Sequence, residues 1–317
     1  MKVLLPSNVD LSDLTLPAGV DGFPYSVTDP VPEEHADASV LVVWGNPESQ
    51  MRDAASRMKS LRWVQTLAAG PDAVLAAGFD PSVVVTSGRG LHDRTVGEHT
   101  LALVLAAARR VDLMTRAQIG HRWASELGGN QPLKDPDHFR TLREAHVVIW
   151  GFGSIAAVTA PLLTALGARV TGVAQSPGER HGYPVATEAD FPALLPTADV
   201  LIMILPATPQ TRHAFDAGIA ALLPRHAWVV NVGRGATLDE AALVAAVREG
   251  RLGGAALDVT EIEPLPPSSP LWDEPNIIVS PHAAGGRPLG APALILENLA
   301  AFRSGRPLRN TVARPTA

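Results

Sequence analysis

The sequence predicts an α/β fold whose sheets are parallel, doubly wound and covered by helices on both faces. Three observations carry that prediction. Short runs of β-branched and apolar residues recur along most of the chain. They alternate with helical patterns rather than with tight turns, so successive strands need crossovers and run parallel. The runs are apolar at every position instead of at alternate ones, which marks strands buried on both faces. The chain has 317 residues, enough for two domains of ordinary size.

In chain order, SVLVVWG at 39–45, LRWVQTL at 61–67 and SVVVTS at 82–87 read as strands. VGEHTLALVLAAARRVDLMTRA then spaces its apolar residues as a helix does and predicts one long helix from about Val96. AHVVIWG at 145–151, ARVTGVA at 168–174 and ADVLIMILP at 198–206 are further strands. AWVVNVG at 227–233, GAALDV at 254–259 and NIIVS at 276–280 complete the set. The segment 120–144 is polar and rich in Gly and Pro, and predicts an irregular excursion between helix and strand.

Composition excludes several classes of function. Hydrophobic residues make up 46% and charged residues 18%, so the chain buries a core rather than staying disordered. A net charge of −6 without any basic block argues against nucleic acid as a partner. There is no cysteine, which excludes disulfides, thiolate metal sites and cysteine nucleophiles, and suits a reducing cytoplasm. The N-terminal apolar run is only Val3 to Leu5, too short for a signal peptide. LALVLAAA at 101–108 falls well below the ~18 residues of a membrane span. A cytoplasmic protein that works without membrane or metal is expected.

The most specific local signal is Gly151-Phe152-Gly153-Ser154-Ile155-Ala156, directly after a strand and opening a helix. This is the G-x-G-x-x-G/A dinucleotide fingerprint in its required context. Gly151 permits the tight turn. Gly153 leaves room for a pyrophosphate at the helix N-terminus, whose free N–H groups attract anions. Ala156 still lets helix and strand pack closely. Pro161 falls inside the helix and predicts a kink. The next strand ends in Ala174-Gln175-Ser176, with no carboxylate to hold a ribose 2′-hydroxyl and repel a 2′-phosphate. Gln175 and Ser176 can donate to a phosphate, and Arg180 or His181 can reach it from the following loop. The expectation leans to NADP(H) over NAD(H), with a site open to either as the alternative.

Three later strand ends carry charge. The first is Gly233-Arg234-Gly235. The second is Asp258, followed by Glu261 and by Glu263 before Pro264. The third is His282, after Ser280-Pro281 and before only Ala and Gly. Each is weak alone, because arginines cap helices and acids are common at strand ends. Together they form a chemical set. A carboxylate beside an imidazole orients it and favours its protonated form. Such a pair exchanges protons near neutral pH. A guanidinium clamps a carboxylate and polarises an adjacent carbonyl. With hydride from a nicotinamide, these groups suffice to interconvert a 2-hydroxy acid and a 2-oxo acid.

With these residues in place, the chain resembles the D-2-hydroxyacid dehydrogenase family, which includes hydroxypyruvate/glyoxylate reductases and phosphoglycerate dehydrogenases. The resemblance rests on LAAGPD at 67–72, VGEHTLALVLAAARR at 96–110, WGFGSIA, LPATPQTRHAF at 205–215, NVGRG, LDVTEIEPLP and SPHAAGG, in that order. It implies two Rossmann-like domains with a deep interdomain cleft. A discontinuous substrate-binding domain would comprise 1–94 and 286–317, and a dinucleotide-binding domain 95–285. A dimerisation arm around 110–144 would make a homodimer. It implies Arg234, Glu263 and His282 as the catalytic set, with His282 as proton donor and Glu263 as its partner. Cofactor contacts would come from Gly151, Gly153, Ser154, Ile155, Gln175, Ser176, Leu205, Pro206, Thr211, Val232, Gly233, Asp258 and Gly285. Arg234 and the backbone N–H groups of Ala69 and Gly70 would bind the substrate, a small D-2-hydroxy or 2-oxo acid.

Two alternatives stay open at this point. One is a non-catalytic, corepressor-like sensor of NAD(H). The other is a formate-type dehydrogenase of the same fold, which Glu263 disfavours because those enzymes carry an amide there. Four departures from the family pattern bear on cofactor choice and substrate shape: Ala156, the missing acid after the second nucleotide strand, Pro71 after Gly70, and the unusual segment at 129–149.

Overall fold

The structure is a computed structural model and describes residues 1–130, 132, 135 and 137–313. The chain divides into two compact units, Met1–His92 with Arg287–Ala317, and Asp93–Gly286.

The first unit holds strands β1 (Lys2–Pro6), β2 (Asp21–Tyr25), β3 (Val40–Val43), β4 (Trp63–Thr66) and β5 (Val84–Thr86), with helices α1 (Glu48–Arg57) and α2 (Asp72–Ala76). The sheet order is β2-β1-β3-β4-β5, and every pair is parallel. Alternate side chains serve opposite faces. Leu4, Leu41, Val43, Val64 and Val85 pack with Met51 and Ala54 of α1 and Val74 of α2. Val3, Val40, Val42 and Trp63 pack on the other face with Leu294, Ile295 and Leu299 of the C-terminal helix Ala291–Arg303. That returning helix explains why the first unit is discontinuous in sequence.

The second unit starts with α3 (Asp93–Arg109) and α4 (Val111–Ile119). Its sheet is built from β6 (His146–Trp150), β7 (Arg169–Val173), β8 (Gly178–Arg180), β9 (Tyr183–Ala186), β10 (Val200–Met203), β11 (Trp228–Asn231), β12 (Gly254–Leu257) and β13 (Ile277–Val279). Between these strands run α5 (Ser154–Ala165), α6 (Phe191–Leu194), α7 (Ala217–Leu222) and α8 (Glu240–Arg248); α9 is the C-terminal helix Ala291–Arg303. The sheet order is β13-β12-β11-β10-β6-β7-β9-β8. One face packs on α3 and α5 through Leu103, Val104, Ala156, Ala160 and Leu163. The other packs on α6, α7 and α8 through Phe191, Ala220, Leu243 and Val247. Both units are therefore α/β folds, the first on a parallel sheet and the second on a mainly parallel one. No helix among the described residues is long and apolar enough to cross a membrane.

Four features differ from the sequence reading. The single long helix is two helices. Arg110 takes a left-handed conformation, φ 52°, between α3 and α4. Its guanidinium donates to Asn276 Oδ1 at 2.7 Å and lies over the Trp228 ring. These contacts hold the break, and periodicity cannot show them. Pro161, where a kink was expected, lies inside α5 without ending it, so the helix is longer than a proline's local preference allows. The buried face of α5, with Ala156, Ala160 and Leu163 in the core, outweighs the local propensity. β2 contains Pro24, tolerated because the strand lies at the sheet edge. Finally, β8 pairs antiparallel with β9, so the second sheet is mixed. His181 and Gly182, φ 55° and 81°, make the turn between them; positive φ at both central residues suits a hairpin's twist.

At the amino end of β6, opposite the glycine loop, His146 is buried and bonds Thr197 and Thr171. Burial, with Arg169 nearby, lowers its pKa. Beside it, burial pushes the Asp199 carboxyl up. Hydrogen bonds from His226 Nε2 and the His146 main-chain N–H more than offset this and hold Asp199 below its usual value. An unfolded histidine titrates near 6.5, above folded His146, so below about pH 6.5 the unfolded chain binds a proton that the folded one refuses. Stability should therefore fall as pH drops from about 7 to 5, and the fall should be shallower in His146→Asn. Thermal unfolding against pH checks this, and a wild-type slope in the variant would exclude His146 as the cause. Asp199 has the depressed-carboxylate sign, so its contribution is lost only below about pH 3.9.

Candidate active site

The candidate site lies at the carboxyl ends of β6, β10, β11, β12 and β13, where ligands of parallel sheets bind. At the end of β6, Gly151 has φ 101°, and a Cβ there would lie 2.4 Å from the Ile204 carbonyl oxygen. Only glycine fits that turn. Two residues on, a Cβ at Gly153 would meet nothing within 4 Å, so the space before the first turn of α5 is open. Gly153, Ser154 and Ile155 begin that helix, with Ser154 exposed and Ile155 half-buried. An open cradle at the N-terminus of a 12-residue helix fits a dinucleotide pyrophosphate.

At the end of β7, Gln175 and Ser176 are exposed. Arg180 folds back from β8 and donates to Ser176 Oγ at 2.6 Å and to the Phe152 carbonyl at 3.3 Å. The hairpin thus brings a guanidinium to the strand end that lacks an acid. After β10, Leu205 and Pro206 open a loop that Thr211 ties together, its hydroxyl donating to the Pro206 carbonyl at 2.6 Å.

The end of β11 shapes the arginine turn. Asn231 is fully buried. Its Oδ1 accepts from the Gly233 N–H at 3.0 Å, and its Nδ2 donates to the Arg234 carbonyl at 3.1 Å. Val232 and Gly233 are buried, and a Cβ at Gly233 would lie 2.7 Å from the Leu205 backbone. Arg234 is half-buried and extended, and its Nη1 donates to the Gly233 carbonyl at 2.7 Å. A Cβ at Gly235 would lie 1.9 Å from the Thr260 carbonyl oxygen, so the arginine turn sits directly on the loop that carries Glu263.

That loop follows β12. The Thr260 N–H donates to Glu263 Oε1 at 3.1 Å, leaving Oε2 for His282 Nδ1 at 2.7 Å. With Nδ1 donating to the carboxylate, Nε2 is the imidazole nitrogen left to hold or release a proton. Both side chains are partly open, His282 48% and Glu263 38% exposed, so the pair stands at an accessible edge of this unit. His282 itself is left-handed, φ 51°, a conformation costly for a non-glycine residue and found where the surroundings fix it. The His282 N–H donates to the Asp258 carbonyl at 2.8 Å. The Asp258 carboxylate, almost fully buried, accepts from Ser280 Oγ and from the N–H groups of Ala283 and Ala284, at 2.6, 2.8 and 3.0 Å. Small residues after His282 let the chain wrap that carboxylate closely, up to half-buried Gly285.

The structure thus joins Glu263 to His282 directly and sets Arg234 on the adjoining strand end. Ala69 and Gly70 belong to the other unit, half-buried just after β4. Asn231, Thr260 and Ser280 shape the site without having stood out in the sequence. An amide closing the otherwise apolar run WVVN was the one available signal for Asn231.

Residues 101–284 match the family model described as D-isomer specific 2-hydroxyacid dehydrogenase, NAD binding domain. A glyoxylate reductase of Aeropyrum pernix is 34% identical over 83% of this chain and 79% of its own. Glyoxylate/hydroxypyruvate reductase B of Citrobacter koseri is 33% identical over 79% of this chain and 77% of its own. Among solved structures, a D-isomer specific 2-hydroxyacid dehydrogenase from Xanthobacter autotrophicus Py2, in complex with NADPH and MES, superposes with a TM-score of 0.80. It is 32% identical, with 98% of this chain and 97% of that one covered.

Proposed function

Since the chain belongs to the D-isomer specific 2-hydroxyacid dehydrogenase family and is an NAD(P)-dependent enzyme of that kind, we propose that it reduces a small 2-oxo acid such as glyoxylate or hydroxypyruvate, with His282 as proton donor. The observation that carries this reading is the 2.7 Å contact between His282 Nδ1 and Glu263, on the strand end next to Arg234. When bound, the nicotinamide supplies the hydride that reaches carbon 2 of the acid. Arg234 holds the substrate carboxylate and polarises the adjacent carbonyl. His282 Nε2 gives its proton to the carbonyl oxygen, and Glu263 keeps the ring oriented and stabilises its charge. Asp258 sets the backbone of the histidine loop. Backbone N–H groups of Ala69 and Gly70 are proposed as further holds on the carboxylate.

NADP(H) is the proposed preference. No acid stands at the end of β7, and Arg180 with Ser176 offers donors to a 2′-phosphate. Gly151, Gly153, Ser154 and Ile155 are proposed for the pyrophosphate. Gln175, Leu205, Pro206, Thr211, Val232, Gly233 and Gly285 are proposed for the rest of the cofactor. A cytoplasmic homodimer is proposed from the absence of cysteine and from apolar side chains left open on α4 and beyond, with Ile119 76% and Trp123 92% exposed.

The test is a panel of glyoxylate, hydroxypyruvate, pyruvate and phenylpyruvate, each assayed with NADPH and NADH at equal concentration. Turnover of the smaller acids with NADPH preferred is expected. A strong NADH preference would reverse the cofactor assignment. Cofactor binding without turnover of any acid would favour a sensor.

A further inference from the structure

His99 lies on α3, one turn after Val96 and one before Leu103, at the flank of the face that α3 buries against the sheet. Its Nε2 is 3.0 Å from Ser280 Oγ and 3.1 Å from Asp258 Oδ1. The Ser280 hydroxyl already donates its one hydrogen to Asp258 Oδ1, at 2.6 Å. A lone pair on Nε2 would therefore face a carboxylate oxygen with no hydrogen between them. The network requires Nε2 to carry the hydrogen and donate it. Four groups then close on Asp258: His99, whose Nε2–H is bonded to Ser280 Oγ and lies 3.1 Å from Oδ1, and the donors Ser280, Ala283 N–H and Ala284 N–H. Two of those donors flank the chain just past His282, and the Asp258 main-chain oxygen takes the His282 N–H.

We propose that His99 is a positioning residue for the proton donor: its Nε2–H completes the set of hydrogen bonds around Asp258 that fixes segment 280–284, and with it the His282 ring. The inference rests on the reading of His282 as the donor. The left-handed backbone at His282 needs such fixing, because it lies outside the conformations a free chain prefers. Three of the four come from the loop itself. His99 adds a side-chain hydrogen bond from that loop to the helix packed against the sheet, so it helps convert a local turn into an anchored one.

The test compares full-length His99→Leu, which removes the donor, with His99→Gln, whose amide nitrogen reaches the same place. In His99→Leu, kcat for reduction should fall about tenfold or more, while the NADPH dissociation constant stays near wild type, because a donor displaced by a fraction of an ångström loses rate before binding. His99→Gln should recover most of that loss. Amide hydrogen exchange at Ala283 and Ala284 should quicken in the leucine variant and stay slow in the glutamine one. Should His99→Leu fail to fold, His99→Asn serves instead, since its shorter amide stops short of Asp258. Unchanged exchange at Ala283 and Ala284 in the donor-free variant overturns the proposal, as does equal loss of kcat in the glutamine and leucine variants. If the wild type turns over no 2-oxo acid, the reading of function fails, while the exchange comparison still decides the role of His99.

Discussion

Replacing His282 by asparagine is expected to lower the rate of 2-oxo acid reduction by about a hundred- to ten-thousandfold, the usual worth of a positioned general acid. Asparagine is the informative substitute for two reasons. The backbone at 282 is left-handed, and asparagine tolerates that region better than any side chain except glycine. Its amide can also still donate to Glu263, so the partner carboxylate keeps a hydrogen bond. What disappears is a nitrogen able to carry and release a proton. The NADPH dissociation constant should stay within about twofold of wild type, because proton donation and cofactor binding use different groups. The limb of the wild-type pH–rate profile that requires a protonated donor should be absent from the residual rate. A variant with wild-type kcat would remove His282 from the chemistry. A variant that lost cofactor binding in proportion to rate would show that the loop had collapsed.

How much of this was legible in the sequence depends on whether a residue's partners are near it in the chain. The parallel sheets were legible because their strands are apolar at every position, and the glycine turn because Gly151 and Gly153 sit between a strand and a helix. His282 and Glu263 stood out because each is a charged or titratable group beside proline at a strand end. Their separation of 19 residues gives no hint of a 2.7 Å contact, which only the sheet neighbours β12 and β13 create. His99 was not legible as anything but a helix residue, since its partner Ser280 is 181 positions away. The same holds for Arg110, whose break of the long helix is held by Asn276 across 166 positions. Arg180 was legible as a candidate from its place after β7. The hairpin that folds it back depends on two positive-φ residues, His181 and Gly182, too short a signal to read beforehand. Local chemistry was visible in the residues; the distant pairing of Glu263 with His282 came only through the family resemblance, and those of His99 and Arg110 did not appear at all.

Arg234→Lys should lower kcat/KM for the 2-oxo acid by roughly ten- to a hundredfold, the equivalent of about 1.5–3 kcal/mol for a charge-assisted hydrogen bond. The charge survives in this variant, so the loss isolates geometry. A guanidinium presents two parallel N–H groups to a carboxylate or to a carboxylate and its neighbouring carbonyl, whereas an ammonium is a single strongly hydrated point. The turn itself should be spared. Of the bonds that shape it, lysine loses only that from Arg234 Nη1 to the Gly233 carbonyl; those from Asn231 Nδ2 at 3.1 Å and Thr237 Oγ1 at 2.7 Å end on the main-chain oxygen of residue 234, which lysine keeps. Gly235 still lies against the Thr260 carbonyl, so the register between the arginine turn and the Glu263 loop is kept. Both constants should move: KM upward because the carboxylate loses its fork, and kcat downward because the carbonyl is less polarised when hydride arrives. Binding of NADPH in the absence of substrate should be unaffected. Unaltered kinetics with lysine would place Arg234 away from the substrate and remove it as the carboxylate clamp.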